Sequence, residues 1–141
     1  METTVPAPNR GEFIDPQVRN PRHRLGAFGE LAARRTLEEQ GLTVVACRAR
    51  TRAGEVDLVA LDGDLVVFIE VKTRATVEFG RPAESVTPRK QARVARAALG
   101  FLQRRDWLER PCRFDVVEVI CDPDLGGTEI NHIIDAFRPR R

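Results

Sequence analysis

The chain has no tyrosine and a single tryptophan, Trp107, so a platform of stacked rings for nucleic-acid bases is poorly supported. Its three cysteines, Cys47, Cys112 and Cys121, are odd in number, widely spaced and include no Cys-x-x-Cys pair. That argues against both a disulfide framework and a zinc site, and fits a reducing cytoplasm. The two histidines, His23 and His132, lie too far apart in sequence to suggest a metal cluster or a triad. Ser85 and Thr87 have no histidine nearby, so nothing points to nucleophilic catalysis. No apolar run reaches the roughly 18 residues of a membrane helix, and no signal-peptide pattern opens the chain. The net charge is only +2, so any affinity for nucleic acid must come from where the basic residues lie rather than from their sum.

A chain of 141 residues suits one domain with a modest core. Met1 to about Asn20 carries Pro6, Pro8 and Pro16 and little periodic apolar content, and reads as a disordered tail ahead of a single domain over 21–141. A first helix is expected from Pro21–Arg24 to Gly41, a suitable residue just past a helix end. On it, Glu30 shares a face with Gly26, Ala27, Ala33, Arg34 and Leu37, and the small residues there would bring the helix close to a sheet. Leu42 to Arg50 alternates as a strand. After a loop over Thr73–Arg81 and Pro82–Val86, Thr87-Pro88 opens a second helix as N-cap and first-turn proline. Val94, Ala97, Ala98, Phe101 and Leu102 form its core stripe. Arg113–Ile120 and Glu129–Phe137 read as the last two strands, with a turn at Asp122-x-Asp124-x-x-Gly127 that lacks calcium-loop spacing. The order αβββαββ indicates an α/β (α+β) fold, a mixed central sheet flanked by helices.

The chemistry concentrates in Gly54-Glu55-Val56-Asp57-Leu58-Val59 and, after a short turn, Phe68-Ile69-Glu70-Val71-Lys72-Thr73-Arg74. Carboxylates and an amine inside apolar strand-like runs are costly to bury unless they are paired or hold a metal. Val56–Leu61 and Leu65–Val71 flank Asp62-Gly63-Asp64 and read as an antiparallel hairpin. With a Gly63-Asp64 turn, Asp57 lies directly opposite Glu70; with an Asp62-Gly63 turn, it opposes Phe68 and sits diagonal to Glu70. Either register puts Asp57, Glu70 and Lys72 on one face, leaving Val56, Leu58, Ile69 and Val71 on the other. Directly opposed carboxylates, with Cβ atoms about 5 Å apart, repel unless a cation or a proton lies between them. Mg²⁺ or Mn²⁺ held by Asp57 and Glu70, with Lys72 beside a phosphate oxygen or the attacking water, suits phosphodiester hydrolysis. A solvated Asp57–Lys72 or Glu55–Lys72 ion pair would use the same residue types. Three such residues together, backed by an apolar face, favour the site.

Asp57, a hairpin and then Glu70-Val71-Lys72 resemble the core of the restriction-endonuclease-like PD-(D/E)XK nuclease superfamily, although Val56 stands where many members have proline. More narrowly, Gly26-x-x-Gly29-Glu30-x-x-Ala33, Gly54 to Val59, Glu70-Val71-Lys72-x-Arg74 and Arg113-Phe114-Asp115-Val116-Val117 resemble the YraN-like family of small uncharacterised bacterial proteins. The resemblance spans about Arg24 to Phe137. It implies a Mg²⁺- or Mn²⁺-dependent endonuclease that cuts double-stranded or branched DNA in repair or recombination. It also implies Asp57, Glu70 and Lys72 as catalytic residues, Glu30 completing the metal site with Asp57, Glu70 and the Val71 carbonyl, and, by similarity to Holliday-junction resolvases, a homodimer. The competing reading is a non-catalytic nucleic-acid-binding or adaptor protein that retains the nuclease fold.

The second helix carries Arg89, Lys90, Arg93, Arg96, Arg104 and Arg105 with no acidic residue between Arg89 and Arg105. With Arg48, Arg50, Arg52 and Arg74 close in sequence to the site strands, these are the candidates for contacting phosphates, Arg52, Arg74, Arg89, Lys90 and Arg93 first among them. An ordinary solvated helix face would have the same composition. Asp115, inside an apolar strand, is expected to hydrogen-bond to backbone or to an arginine.

Overall fold

The computed structural model describes residues 2–5, 21–74, 86–121 and 127–139; the side chains of 2–5 and 21–25, His23 among them, fall outside the description. So do residues 6–20 of the expected tail, residues 75–85 of the loop expected over Thr73–Val86 and residues 122–126 of the expected turn. Thr73 and Arg74, expected in that loop, instead end the strand before it.

Helix α1 spans Pro21–Glu39. Gly41, at φ +91°, donates its N–H to the Glu38 carbonyl, and Leu42 donates to the Leu37 carbonyl, both at 3.0 Å. This paired closure satisfies carbonyls that the helix end would otherwise orphan, and Leu42 packs back onto the cluster that holds Leu37. Helix α2 spans Pro88–Arg105; the Thr87 hydroxyl accepts from the Lys90 N–H, and left-handed Asp106 ends the helix. Its buried residues are Val94, Ala97, Ala98, Phe101 and Leu102, the expected stripe.

The strands are β1 (Glu2–Val5), β2 (Thr43–Thr51), β3 (Gly54–Asp62), β4 (Leu65–Arg74), β5 (Cys112–Ile120) and β6 (Thr128–Ile133). They form one sheet in the order β1-β6-β5-β4-β3-β2. Among the described strands only β4 and β5 run parallel, and α2 is the crossover that a parallel pair requires. The result is a mixed α+β architecture with the αβββαββ core. Two elements differ from the sequence reading. Glu2–Val5, placed there in a disordered tail, pairs with β6 as an antiparallel edge strand. The last strand ends at Ile133 rather than Phe137, because the chain turns at left-handed Asp135, whose N–H is taken by the Asp115 carboxylate.

Each face of the sheet carries its own apolar cluster. Val59, Val66, Phe68 and Val116 pack with α2, while Leu58, Ala60, Val67, Ile69, Val117 and Val119 pack with Ala32, Ala33 and Leu37 of α1. Strand β4 alternates cleanly between the two. Strand β3 does not: Val56 and Val59 both join the α2 side while Leu58 joins the other. Val56 is therefore not on the face of Leu58, Ile69 and Val71. The break coincides with Asp57 and Arg48, which drop out of the β2–β3 ladder between its Cys47–Leu58 and Ala49–Val56 pairs, with Arg48 at φ +50°.

The close approach of α1 is made at Gly29. A Cβ there would overlap the Thr73 hydroxyl, whereas one at Gly26 would meet nothing within 4 Å. The expected small-residue contact exists but sits one turn along the helix, through Gly29, Ala32 and Ala33.

Candidate active site

The β3–β4 pairs run from Asp62–Leu65 to Leu58–Ile69, and Gly63 takes φ +59° at the first position of the two-residue turn. This is the Gly63-Asp64 register, whose continuation would place Asp57 opposite Glu70. The regular ladder stops at Leu58–Ile69. Beyond it the Val71 N–H donates to Asp57 Oδ2 at 2.8 Å, so the aspartate side chain takes over from the backbone as acceptor. That bond fixes one carboxylate oxygen and holds the carboxyl group between the separating strands.

Glu70 follows Phe68 on the α2 side and is only 6 % exposed. Burial pushes its carboxyl up to about 8, reinforced by the Asp57 carboxylate, which lies within hydrogen-bonding reach. Its Oε1 is buried without a hydrogen-bond partner among the described residues. Lys72, the next residue on that side, is half-buried. Burial first, and then the neighbouring Lys90 of α2, together lower its ammonium to about 8 against the opposing pull of Glu70 and Asp57. The three residues singled out in the sequence are thus in mutual electrostatic contact. Lys90, expected only as a phosphate contact, is the fourth group at the same place. A signal for it existed: Arg89 and Lys90 occupy the first turn of α2 with no acidic residue there, against the helix dipole.

Glu30 reaches the edge of this cluster. Burial raises its carboxyl, and Asp57 and Glu55 add to the rise, but Arg48 Nε donates to Glu30 Oε2 at 3.0 Å. Glu55 is held by Arg50 at 2.9 Å. Among the described residues no three His, Cys, Asp or Glu side chains stand close enough together to form a ready-made metal cage. Asp57 and Glu70 form a pair whose mutual repulsion and unpartnered oxygen fit a hard divalent cation completed by water. Val71 contributes its N–H to Asp57, the only contact it makes in this cluster among the described residues.

Residues 29–119 match the model of the family described as Uncharacterised protein family UPF0102. A UPF0102 protein of Symbiobacterium thermophilum is 48 % identical over 114 residues, covering 81 % of this chain and 96 % of the relative. One from Chlorobium limicola is 41 % identical over 119 residues, with coverage of 82 % and 92 %. One from Rhodopirellula baltica is 46 % identical over 117 residues, with coverage of 81 % and 70 %. The chain belongs to the UPF0102 family. The YraN-like resemblance is borne out at this level. The UPF0102 segment opens at Gly29, where α1 meets β4, and closes at Val119 in β5, so it encloses Glu30, Asp57, Glu70, Lys72 and Lys90.

Several basic side chains of this UPF0102 member are already committed. Arg74 lies 3.6 Å from Glu118, both largely buried, so it braces β4 against β5 rather than standing free for phosphate. Arg105 lies over the rings of Phe101 and Trp107, whereas the bond that Arg104 Nη1 donates to the Arg50 carbonyl at 3.0 Å positions that guanidinium without neutralising its charge. Arg52, Arg89 and Arg93 are exposed. The Arg93 stem crosses Gly54, where an added Cβ would lie 3.1 Å from its Cγ.

Asp115 is structural. Fully buried, it accepts from Arg113 at 2.8 and 3.0 Å and from the Asp135 N–H at 2.9 Å, and it faces His132 Nε2 at 2.7 Å. His132 Nδ1 in turn faces Gln40 Oε1 at 2.8 Å, tying the end of α1 to β5 and β6. Burial alone would raise the Asp115 carboxyl, but the hydrogen bonds from His132, Arg113 and the Asp135 N–H outweigh it and hold it below its ordinary value. No helix among the described residues is long and apolar enough to cross a membrane.

Proposed function

We propose that this chain is a Mg²⁺- or Mn²⁺-dependent endonuclease of the PD-(D/E)XK type, hydrolysing phosphodiester bonds of double-stranded or branched DNA. The observation that carries the reading is the part-buried Asp57 against the buried Glu70, one of whose oxygens has no partner among the described residues, beside the Lys72 ammonium. A protein that only needed a stable hairpin would gain nothing from two opposed carboxyls at that depth. The αβββαββ order and the Asp…Glu-x-Lys spacing support the same reading.

Asp57 and Glu70 would hold the metal, with Glu30 nearby as a further carboxylate. When bound, such an ion supplies polarisation of the phosphoryl oxygen and a lowered pKa for an attacking water. The chain's own residues do the rest. The Val71 N–H keeps Asp57 in a single orientation, and the apolar flanks of β3 and β4 keep bulk water from Glu70. Lys72, at about 8, still carries its proton at neutral pH, so it presents positive charge to the oxygens on which negative charge builds. Lys90 adds a second cation from α2, close to both Glu70 and Lys72.

The test is a panel of end-labelled linear, flapped and four-way-junction DNAs incubated with Mn²⁺ or Mg²⁺, comparing wild type with Lys72→Ala. Wild type should cut at least one substrate, and the variant should lose on the order of a hundredfold or more in rate with fold and most DNA affinity retained. Cleavage that survives the substitution would place the activity elsewhere. Binding with no cleavage by wild type would leave the DNA-binding adaptor that keeps the nuclease fold.

A further inference from the structure

Away from the carboxylates, α2 crosses the β2–β3 turn and encloses a cleft of about 470 Å³ lined by Thr51, Arg52, Ala53, Arg96, Leu99 and Arg104 among others. The crossing is tight because a Cβ on Gly100 would come within 3.0 Å of Thr51 Cγ2, so this glycine sets the floor of the cleft. Three of the lining side chains are guanidiniums and none is acidic. Two carboxylates stand two residues beyond the lining in sequence: Glu55, which Arg50 holds, and Asp106, the left-handed residue that ends α2; Arg104 is steadied by its bond to the Arg50 carbonyl. Arg52 and Arg96 are exposed and have no hydrogen-bond or ion-pair partner among the described residues. A concave surface lined by one sign of charge concentrates field and draws in a polyanion.

The cleft is also aligned with the site. Lys90, Arg93, Arg96 and Arg104 lie on one helix, and Lys90 to Arg104 covers about 21 Å at ~1.5 Å per residue. That equals roughly six phosphates of one DNA strand at ~3.4 Å of axial rise each. Along β3, Gly54 at the cleft end is about 10 Å from Asp57. A backbone laid along α2 would therefore meet Lys90 at the carboxylates and the guanidiniums further on. We infer that the cleft formed by Arg52, Arg96 and Arg104 is a phosphate-binding subsite that grips duplex DNA several nucleotides away from the carboxylate pair. This rests on the nucleic-acid reading of the preceding subsection. It replaces Arg74, which Glu118 holds, with Arg96 and Arg104 as the phosphate contacts. Charges carried at fixed positions along one rigid helix favour a duplex, whose backbone is itself stiff.

The experiment titrates a fluorescein-labelled blunt duplex over a range of salt, without divalent ions, against wild type, Arg52→Gln/Arg96→Gln, and Arg34→Gln/Arg35→Gln. The last pair removes the same charge from α1, on the other face of the sheet. The cleft variant should lower the slope of log K against log salt by about two units, roughly 0.9 per lost contact, while the α1 variant stays within a few tenths of wild type. An unchanged slope in the cleft variant, an equal fall in the α1 variant, or no duplex binding by wild type at low salt would overturn the inference. Tighter binding of a single strand with the same loss would overturn the choice of duplex. Cleavage is scored separately with Mn²⁺. If wild type cuts nothing while the slopes differ as expected, the nuclease reading fails and the cleft stands; the reverse pattern fails the cleft alone.

Discussion

Asp57 and Glu70 are two carboxyls in one poorly hydrated place, and only a proton or a cation makes that arrangement cheap. With no cation, burial and Asp57 hold Glu70 protonated up to about pH 8. A divalent ion that binds there should therefore stabilise the fold through linkage, by about 2.7 kcal/mol at a concentration a hundred times its Kd. Asp57→Asn with Glu70→Gln should abolish the metal-dependent rise in melting temperature. Calorimetry showing no shift at millimolar Mn²⁺, or the same shift in the double variant, would sink the metal site. Asp115 gives the opposite sign of pH dependence. Its folded carboxyl titrates below its ordinary 3.8, so the ionised form contributes stability at neutral pH, and that share is lost as pH falls below 3.8. Asp115→Ala strands Arg113 and His132 and should cost about 3 kcal/mol or more near pH 7. The gap from wild type should narrow in denaturant melts toward roughly pH 2.5; a constant gap would mean that the loss is one of packing rather than charge.

Among the elements, those whose signal is local were legible. The Val94–Leu102 stripe repeats at the helical period, Thr87-Pro88 is a start signal, and Gly63 selects the turn whose register brings the Asp57 and Glu70 side chains together. What was not legible depends on a distant partner. Gly26 and Gly29 look alike in sequence, and only the position of Thr73 on β4 decides which one touches the sheet. Val56 changes face where Arg48, on another strand, adopts a positive φ beside Asp57. The Arg48–Glu30 and Arg74–Glu118 pairs likewise join residues that no spacing rule connects. This difference is measurable. Gly29→Ala should destabilise by about 1–3 kcal/mol through overpacking against Thr73, even though alanine is the better helix former by about 1 kcal/mol. Gly26→Ala should be neutral or stabilising, and Thr73→Ala should recover much of the loss in the Gly29→Ala background. Equal chemical-denaturation midpoints for the two glycine variants would show that α1 does not lie this close to β4.

For the whole molecule, the strand order separates the parts that carry chemistry from those that finish the sheet. The carboxylate pair lies on β3 and β4, while β1 lies at one edge, beyond β6 and β5. Its four residues are too few for a period-2 pattern to stand out, and their partners, such as Asn131 opposite Glu2, are at the far end of the chain. Without β1, the outer side of β6 would present unpaired N–H and C=O groups, a ready template for another chain. Removing residues 2–5 should therefore lower the melting temperature only modestly and raise self-association, seen as faster-sedimenting species in the ultracentrifuge. The Mn²⁺-dependent stabilisation and the salt slope of duplex binding should both stay at wild-type values, because neither Asp57 and Glu70 nor the Arg52–Arg96 cleft touches that edge. If the truncated protein stays monomeric and melts like wild type, β1 contributes nothing to the sheet. Loss of the metal response would instead show that the edge and the site are mechanically coupled through β5, contrary to the separation that the strand order implies.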